Sequence, residues 1–200
     1  LASCEKIKEF GADARCYFML GKIALQLDQY DVAKSNFDKA VEEDDSYAMF
    51  LDIYQVYGEK DMDADGKAYL SQALAGDSGS VQDHYQRGRI YYFMGDYPNA
   101  QTELLKAAEE GEGESRLFLG KIYLEQQDPA SARAMYQEYA QQGGAGAKAY
   151  NGLALCDMAE ENYDGALENI AQGLGVADGE DIQELLYNEV VAYEYKRDFA

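Results

Sequence analysis

Few residues in this chain are of a type and spacing that could do chemistry. Asp61-Met-Asp-Ala-Asp-Gly66 places carboxylates at alternate positions ahead of a glycine. Calcium takes that arrangement, because it needs several oxygen ligands and a glycine where the loop turns sharply. Asp61, Asp63 and Asp65 are therefore the candidate metal ligands, with Gln72 standing where a bidentate acid would complete the set. The competing reading has the same acids closing the start of a helix, where the peptide dipole favours negative charge. The single histidine, His84, has no serine or cysteine ordered with it as a nucleophile, and reads as a packed residue rather than a general base. The three cysteines, Cys4, Cys16 and Cys156, have neither an even count nor Cys-x-x-Cys spacing, which argues against a disulfide framework and a zinc site. Cys16 and Cys156 read as small buried hydrophobes. With no glycine-rich phosphate loop either, an enzyme is not expected, nor a cofactor.

A second pattern is a set of basic residues, Arg15, Lys22, Arg89, Lys121 and Lys148, in a chain of 38 acidic and 17 basic residues with a formal charge of −21. Such a charge disfavours nucleic acid and anionic lipid as partners. Acidic runs such as Glu42-Glu-Asp-Asp45 read as solvated faces. No apolar run approaches the roughly 20 residues of a spanning helix, so membrane insertion is not expected.

These residues must be positioned by helices. From Ala14, the residues Tyr17, Leu20, Gly21 and Ala24 share one helical face; after a turn at Asp28 to Tyr30, Ala33, Phe37 and Ala40 share another. Gly21 and Ala33 allow close approach, and the large residues fill the space beside them. The phrase Gly95-Asp-Tyr-Pro-Asn-Ala100 recurs in weaker form at Leu27–Ala33, Glu160–Ala166 and Tyr195–Ala200. Pro98 and Pro129 both fall at predicted helix starts, where a missing N–H does no harm. A turn recurring at intervals of 32 to 36 residues marks a repeat array.

On these residues the chain resembles the tetratricopeptide repeat family, whose unit is a pair of antiparallel helices. The best-matched stretches include Tyr17, Leu20, Gly21, Ala33, Phe37 and Ala40, then Gly88, Tyr91, Ala100, Leu104 and Ala107, then Leu119, Gly120, Tyr123, Ala132 and Tyr136. The resemblance predicts an all-α, right-handed superhelical solenoid. Its repeats fall at 14–46, 47–80, 81–112, 113–146 and 147–182, with 1–13 as the second helix of an upstream repeat and 183–200 as the first helix of a truncated one. The second repeat is the weakest: Tyr54 and Gly66 stand where glycine and alanine belong, which predicts a wider gap between its helices.

The resemblance also implies that first helices line a concave groove. Repeat positions 2 and 9, which face it, hold Arg15, Lys22, Arg89, Lys121 and Lys148 in five of ten cases; Gln55 is among the others. Phe18, Tyr85, Leu117 and Asn151 occupy position 5, and Tyr92 and Phe93 positions 12 and 13. A basic and aromatic groove in an acidic body predicts a non-enzymatic scaffold for an acidic peptide or an extended protein segment. The competing reading pairs these cations with acids of neighbouring repeats. The lysine and asparagine clamp of chaperone-tail binders is not matched, since Phe18, Tyr85 and Asp52 occupy its places. Two other functions stay open: a recognition or regulatory module of a larger enzyme or transcription factor, and end-to-end self-association. The expected location is cytoplasmic. The alternative is an extracytoplasmic bacterial lipoprotein, because Leu1-Ala-Ser-Cys4 resembles a lipobox.

Overall fold

The computed structural model describes residues 13–75, 80–141 and 146–198. Cys4, and the helix expected over 1–13, lie outside the described residues but for Asp13. The chain divides into two compact units, Leu1–Ser78 and Gly79–Ala200. Among the described residues there are helices and no strands. The first unit holds α1 (Ala14–Gln26), α2 (Tyr30–Glu43), α3 (Tyr47–Gly58) and α4 (Asp63–Ala73). The second holds α5 (Val81–Met94), α6 (Tyr97–Glu109), α7 (Ser115–Glu125), α8 (Pro129–Gln141), α9 (Gly146–Ala159), α10 (Tyr163–Leu174) and α11 (Glu180–Asp198). Each first helix packs on the second helix of its repeat, and within each unit successive first helices also touch: α1 and α3, then α5, α7, α9 and α11.

Local sequence sets the helix starts. Asp13, Ser46, Ser80, Asp96 and Asn162 each accept a backbone N–H from three residues ahead, a cap worth about 1 kcal/mol. Asp128 caps α8 through the Ser131 amide at 3.1 Å. Pro129 opens that helix, and Pro98 lies in the first turn of α6. Helix α11 begins at Glu180, three residues before the expected 183, directly after Gly179 at φ +50°.

The turn between the paired helices has one left-handed residue in every repeat: Asp28, Asp61, Gly95, Gln127 and Glu161. Only Gly95 adopts this conformation without a Cβ penalty. Replacing Glu161 with glycine is therefore expected to stabilise the fold by about 0.5–1 kcal/mol, once the extra freedom of the unfolded chain is offset. A higher urea midpoint would show it; a lower one would mean that the Glu161 side chain contributes more than the strain costs.

Glycine in the first helix lets the facing large residue lie against the backbone. A Cβ on Gly21 would stand 2.5 Å from the Phe37 ring, on Gly88 2.6 Å from Leu104, and on Gly120 2.5 Å from Tyr136. The second repeat inverts this arrangement and corrects the expected widening. Gly66, on the second helix, faces Tyr54 on the first: a Cβ there would lie 2.9 Å from the Tyr54 ring and 3.2 Å from the Tyr54 carbonyl oxygen. Exchanging the large and small residues between the two helices preserves the close approach. Around it, Phe37 packs against Phe18, Tyr57 and Tyr69 with ring centroids 5.4–6.2 Å apart, and the Tyr69 hydroxyl donates to Asp38 at 2.7 Å.

Candidate functional site

In the first unit the predicted groove cations are committed to neighbouring acids. Arg15 reaches Asp52 at 3.0 Å and Lys22 reaches Glu59 at 3.4 Å, so both tie α1 to α3. Phe18 is a correction to the predicted contact surface: it is 6% exposed and packs on Phe37, with Arg15 over its ring at 5.1 Å. The aromatic at position 5 is drawn inward there because Gly21 leaves room for Phe37 beside it. Gln55 stands exposed on α3.

The calcium candidates fall on either side of a helix start. Asp61 lies in the turn at φ +57°, while Asp63 and Asp65 belong to the first turn of α4. The helix winds through the stretch instead of leaving an open ligand loop. Among the described residues no group of three or more His, Cys, Asp or Glu side chains is placed to hold a metal ion.

The second unit gathers the other candidates. A cavity of about 280 Å³ opens along α5, α7, α9 and α11, and Tyr85, Arg89, Leu117, Lys121, Lys148 and Asn151 all line it. Tyr92 and Phe93 stand beside rather than in it, as edge-on partners of Phe118 at 5.5 and 6.3 Å. Arg89 lies over Tyr85 and Phe118 at 5.5 and 5.6 Å, and Lys121 over Phe118 at 5.5 Å. These contacts hold the cations in place without neutralising them. Arg89 Nη1 donates to Gln86 at 3.0 Å, while its buried Nε has no partner among the described residues. Burial pushes the Tyr85 phenol up to about 12, against the opposing pull of Arg89. Lys148 faces Glu114 at 3.9 Å, and Asn151 accepts from Asn188 at 2.7 Å.

Among the lining residues that escaped the sequence reading are Phe118, Tyr136, Asp181 and Glu184. Phe118 sits at position 6, on the edge of the helical face already chosen. Asp181 enters because α11 begins earlier than the repeat register implied, and Glu184 lies in the first turns of that same helix, whose residues were not counted among the groove positions. Tyr136 reaches the cavity from a second helix, since its ring fits between Gly120 and Gly152, where an added Cβ would stand 2.5 and 2.4 Å away.

Nucleophilic chemistry has little support among these groups. Cys156 is fully buried and its thiol is pushed up to about 12 by desolvation. His84 bridges α5 to α6 through Glu103 at 2.6 Å, a contact between packed helices away from the cavity.

Stacked helix pairs and a groove along their first helices define a helical-repeat binding protein. Tetratricopeptide repeat profiles match residues 14–47, 85–147 and 117–178, well over half the sequence. The chain belongs to the tetratricopeptide repeat family, a class of protein–protein interaction scaffolds. No curated protein matches it by sequence. Among solved structures it is similar to TTC0263, a thermophilic repeat protein of Thermus thermophilus, at a TM-score of 0.63 and 15% identity, over 90% of this chain and 98% of that one. It is also similar to yeast Tom70, at 0.61 and 16% identity over 93% of this chain, which spans 40% of Tom70. YrrB, described as having an unusual peptide-binding site, aligns at 0.51 and 20% identity, over 92% and 95% of the two chains. At these identities the likeness is one of fold. Among the described residues no helix is long and apolar enough to cross a membrane.

Proposed function

We propose that this chain is a non-enzymatic scaffold whose α5–α7–α9–α11 face holds a peptide or an extended segment of another protein, with an acidic residue of that segment against Arg89 and Lys121. One observation carries the reading. Arg15, Lys22, Lys60, Arg116 and Arg133 each have a carboxylate within 3.4 Å, whereas Arg89 and Lys121 share a cavity and have none among the described residues. Aromatic rings beneath them supply apolar contact to a bound side chain. Peptides selected from a random 12-residue display library, labelled with fluorescein, give the probe. Arg89→Glu with Lys121→Glu is expected to weaken their binding about tenfold or more while leaving helical circular dichroism unchanged. Unchanged affinity, or a library yielding no enriched peptide, overturns the reading.

A second reading, end-to-end self-association, is favoured by α11. Ile182, Leu186, Val190 and Tyr193 form one stripe along it and are 37–58% exposed. In the repeat register, Leu186, Val190 and Tyr193 fall at positions that earlier repeats turn toward their own second helix. Light scattering that shows a mass rising with concentration, and a return to monomer in Leu186→Glu with Val190→Glu, would support it; a constant monomer mass removes it.

A further inference from the structure

The two ends of the groove cavity carry opposite charge. Arg89 stands on α5 and Lys121 on α7, while Asp181 and Glu184 stand on α11. Because α5 packs on α7, α7 on α9 and α9 on α11, the two charged pairs stand on helices at opposite ends of the row. Between the ends, α9 presents Asn151 and Leu155, and its one lining cation, Lys148, already faces Glu114. None of Arg89, Lys121, Asp181 and Glu184 has an ion-pair partner among the described residues. Opposite charges left uncompensated at the two ends of one cavity set up a field along it, and low-dielectric walls strengthen that field.

We propose that the cavity binds a bipolar segment, with an acidic residue seated at Arg89 and Lys121 and a basic residue at Asp181 and Glu184. The proposal rests on the groove being the peptide site, and adds the charge order and direction of what it holds. Packed helices lie about 8–10 Å apart, so α7 and α11 stand about 16–20 Å apart. An extended chain advances about 3.3 Å per residue, and long side chains shorten the span. The acidic and basic residues therefore fall about four to six positions apart. The same arrangement rejects a run of acids, which would bring carboxylates against Asp181 and Glu184. For a chain of charge −21 this keeps the protein's own acidic surfaces out of its groove.

The test uses the full chain and the fluorescein-labelled peptides selected above. The peptides are expected to carry an acid and a base in one order at that spacing. Changing the peptide's base to glutamate should weaken binding about tenfold to the native chain. That loss should be recovered on the variant Asp181→Lys with Glu184→Lys. In the chain that also carries Arg89→Glu and Lys121→Glu, the peptide with exchanged charges should bind in place of the original. Asp181→Asn with Glu184→Gln, checked by circular dichroism, provides a milder variant if charge reversal disturbs folding; it should lose affinity and discriminate less between the two peptides. If both α11 variants bind the original peptide and its glutamate form as the native chain does, while Arg89→Glu with Lys121→Glu loses binding, the bipolar proposal is overturned and the groove reading stands. If neither pair of substitutions alters affinity, or no peptide is enriched, both are overturned.

Discussion

Replacing Asp157 with alanine is expected to lower the unfolding free energy by about 2–4 kcal/mol, the cost of leaving buried donors without their acceptor. Asp157 lies on α9 and is only 5% exposed. Its carboxylate accepts from Arg133 on α8 at 3.0 Å, from Asn169 on α10 at 2.7 Å and from Asn162, the cap of α10, at 3.2 Å. One side chain thus joins two repeats and fixes the turn between the helices of the second. Without it Arg133 keeps Glu160, at 2.6 Å and nearer solvent, while Asn169 faces a cavity with its donor unpaired. Repeat arrays are coupled mainly between neighbours, so the damage should concentrate around α8–α10. Urea unfolding gives the total and hydrogen exchange the location. A loss below about 1 kcal/mol would mean that the carboxylate contributes no more than an exposed pair. Asp157→Asn, which keeps the size and one acceptor, should lose less.

Tyr136→Ala is expected to cost a similar amount, about 3–5 kcal/mol, by emptying a slot built for the ring. Tyr136 is 2% exposed, at the centre of a cluster with Leu117, Tyr139 and Cys156. Its hydroxyl is buried without a hydrogen-bond partner among the described residues. Tyr136→Phe should therefore be neutral or slightly stabilising, which separates the ring from its hydroxyl. Gly152→Ala tests the slot from the other side. Its new Cβ would meet the Tyr136 ring at 2.4 Å, and Gly120 stops the ring from retreating. Overpacking of about 1–3 kcal/mol should outweigh the helix preference of alanine, which is roughly 1 kcal/mol. Thermal melts of the three variants give the ranking. A Gly152→Ala protein as stable as the native one would show that the ring has room to shift.

The repeat was legible because it is written locally. Gly95, Asp96 and Pro98 form one turn with its cap, and degraded copies at Asp28 and Glu161 keep the same left-handed position although neither residue is a glycine. Helix starts follow from caps and prolines within three residues of each end, so they too can be read along the chain. The exchange of Tyr54 and Gly66 shows the limit of reading position by position. Each looks like a departure alone, but together they conserve the approach of the two helices.

Sequence alone determined the helix pairs and the turns between them, because helical periodicity and capping are short-range, and the resemblance to a repeat family suggested the face for Arg89, Lys121 and Lys148. Only tertiary structure decided which cations remain unpaired. Arg15 and Lys22 find Asp52 and Glu59 some 37 residues on, whereas Arg89 and Lys121 find aromatic rings. It also decided that Asp181 and Glu184 close the far end of the cavity. Such pairings depend on which helices stack side by side and on how far each side chain reaches, and both are set when the apolar faces of successive repeats are buried together.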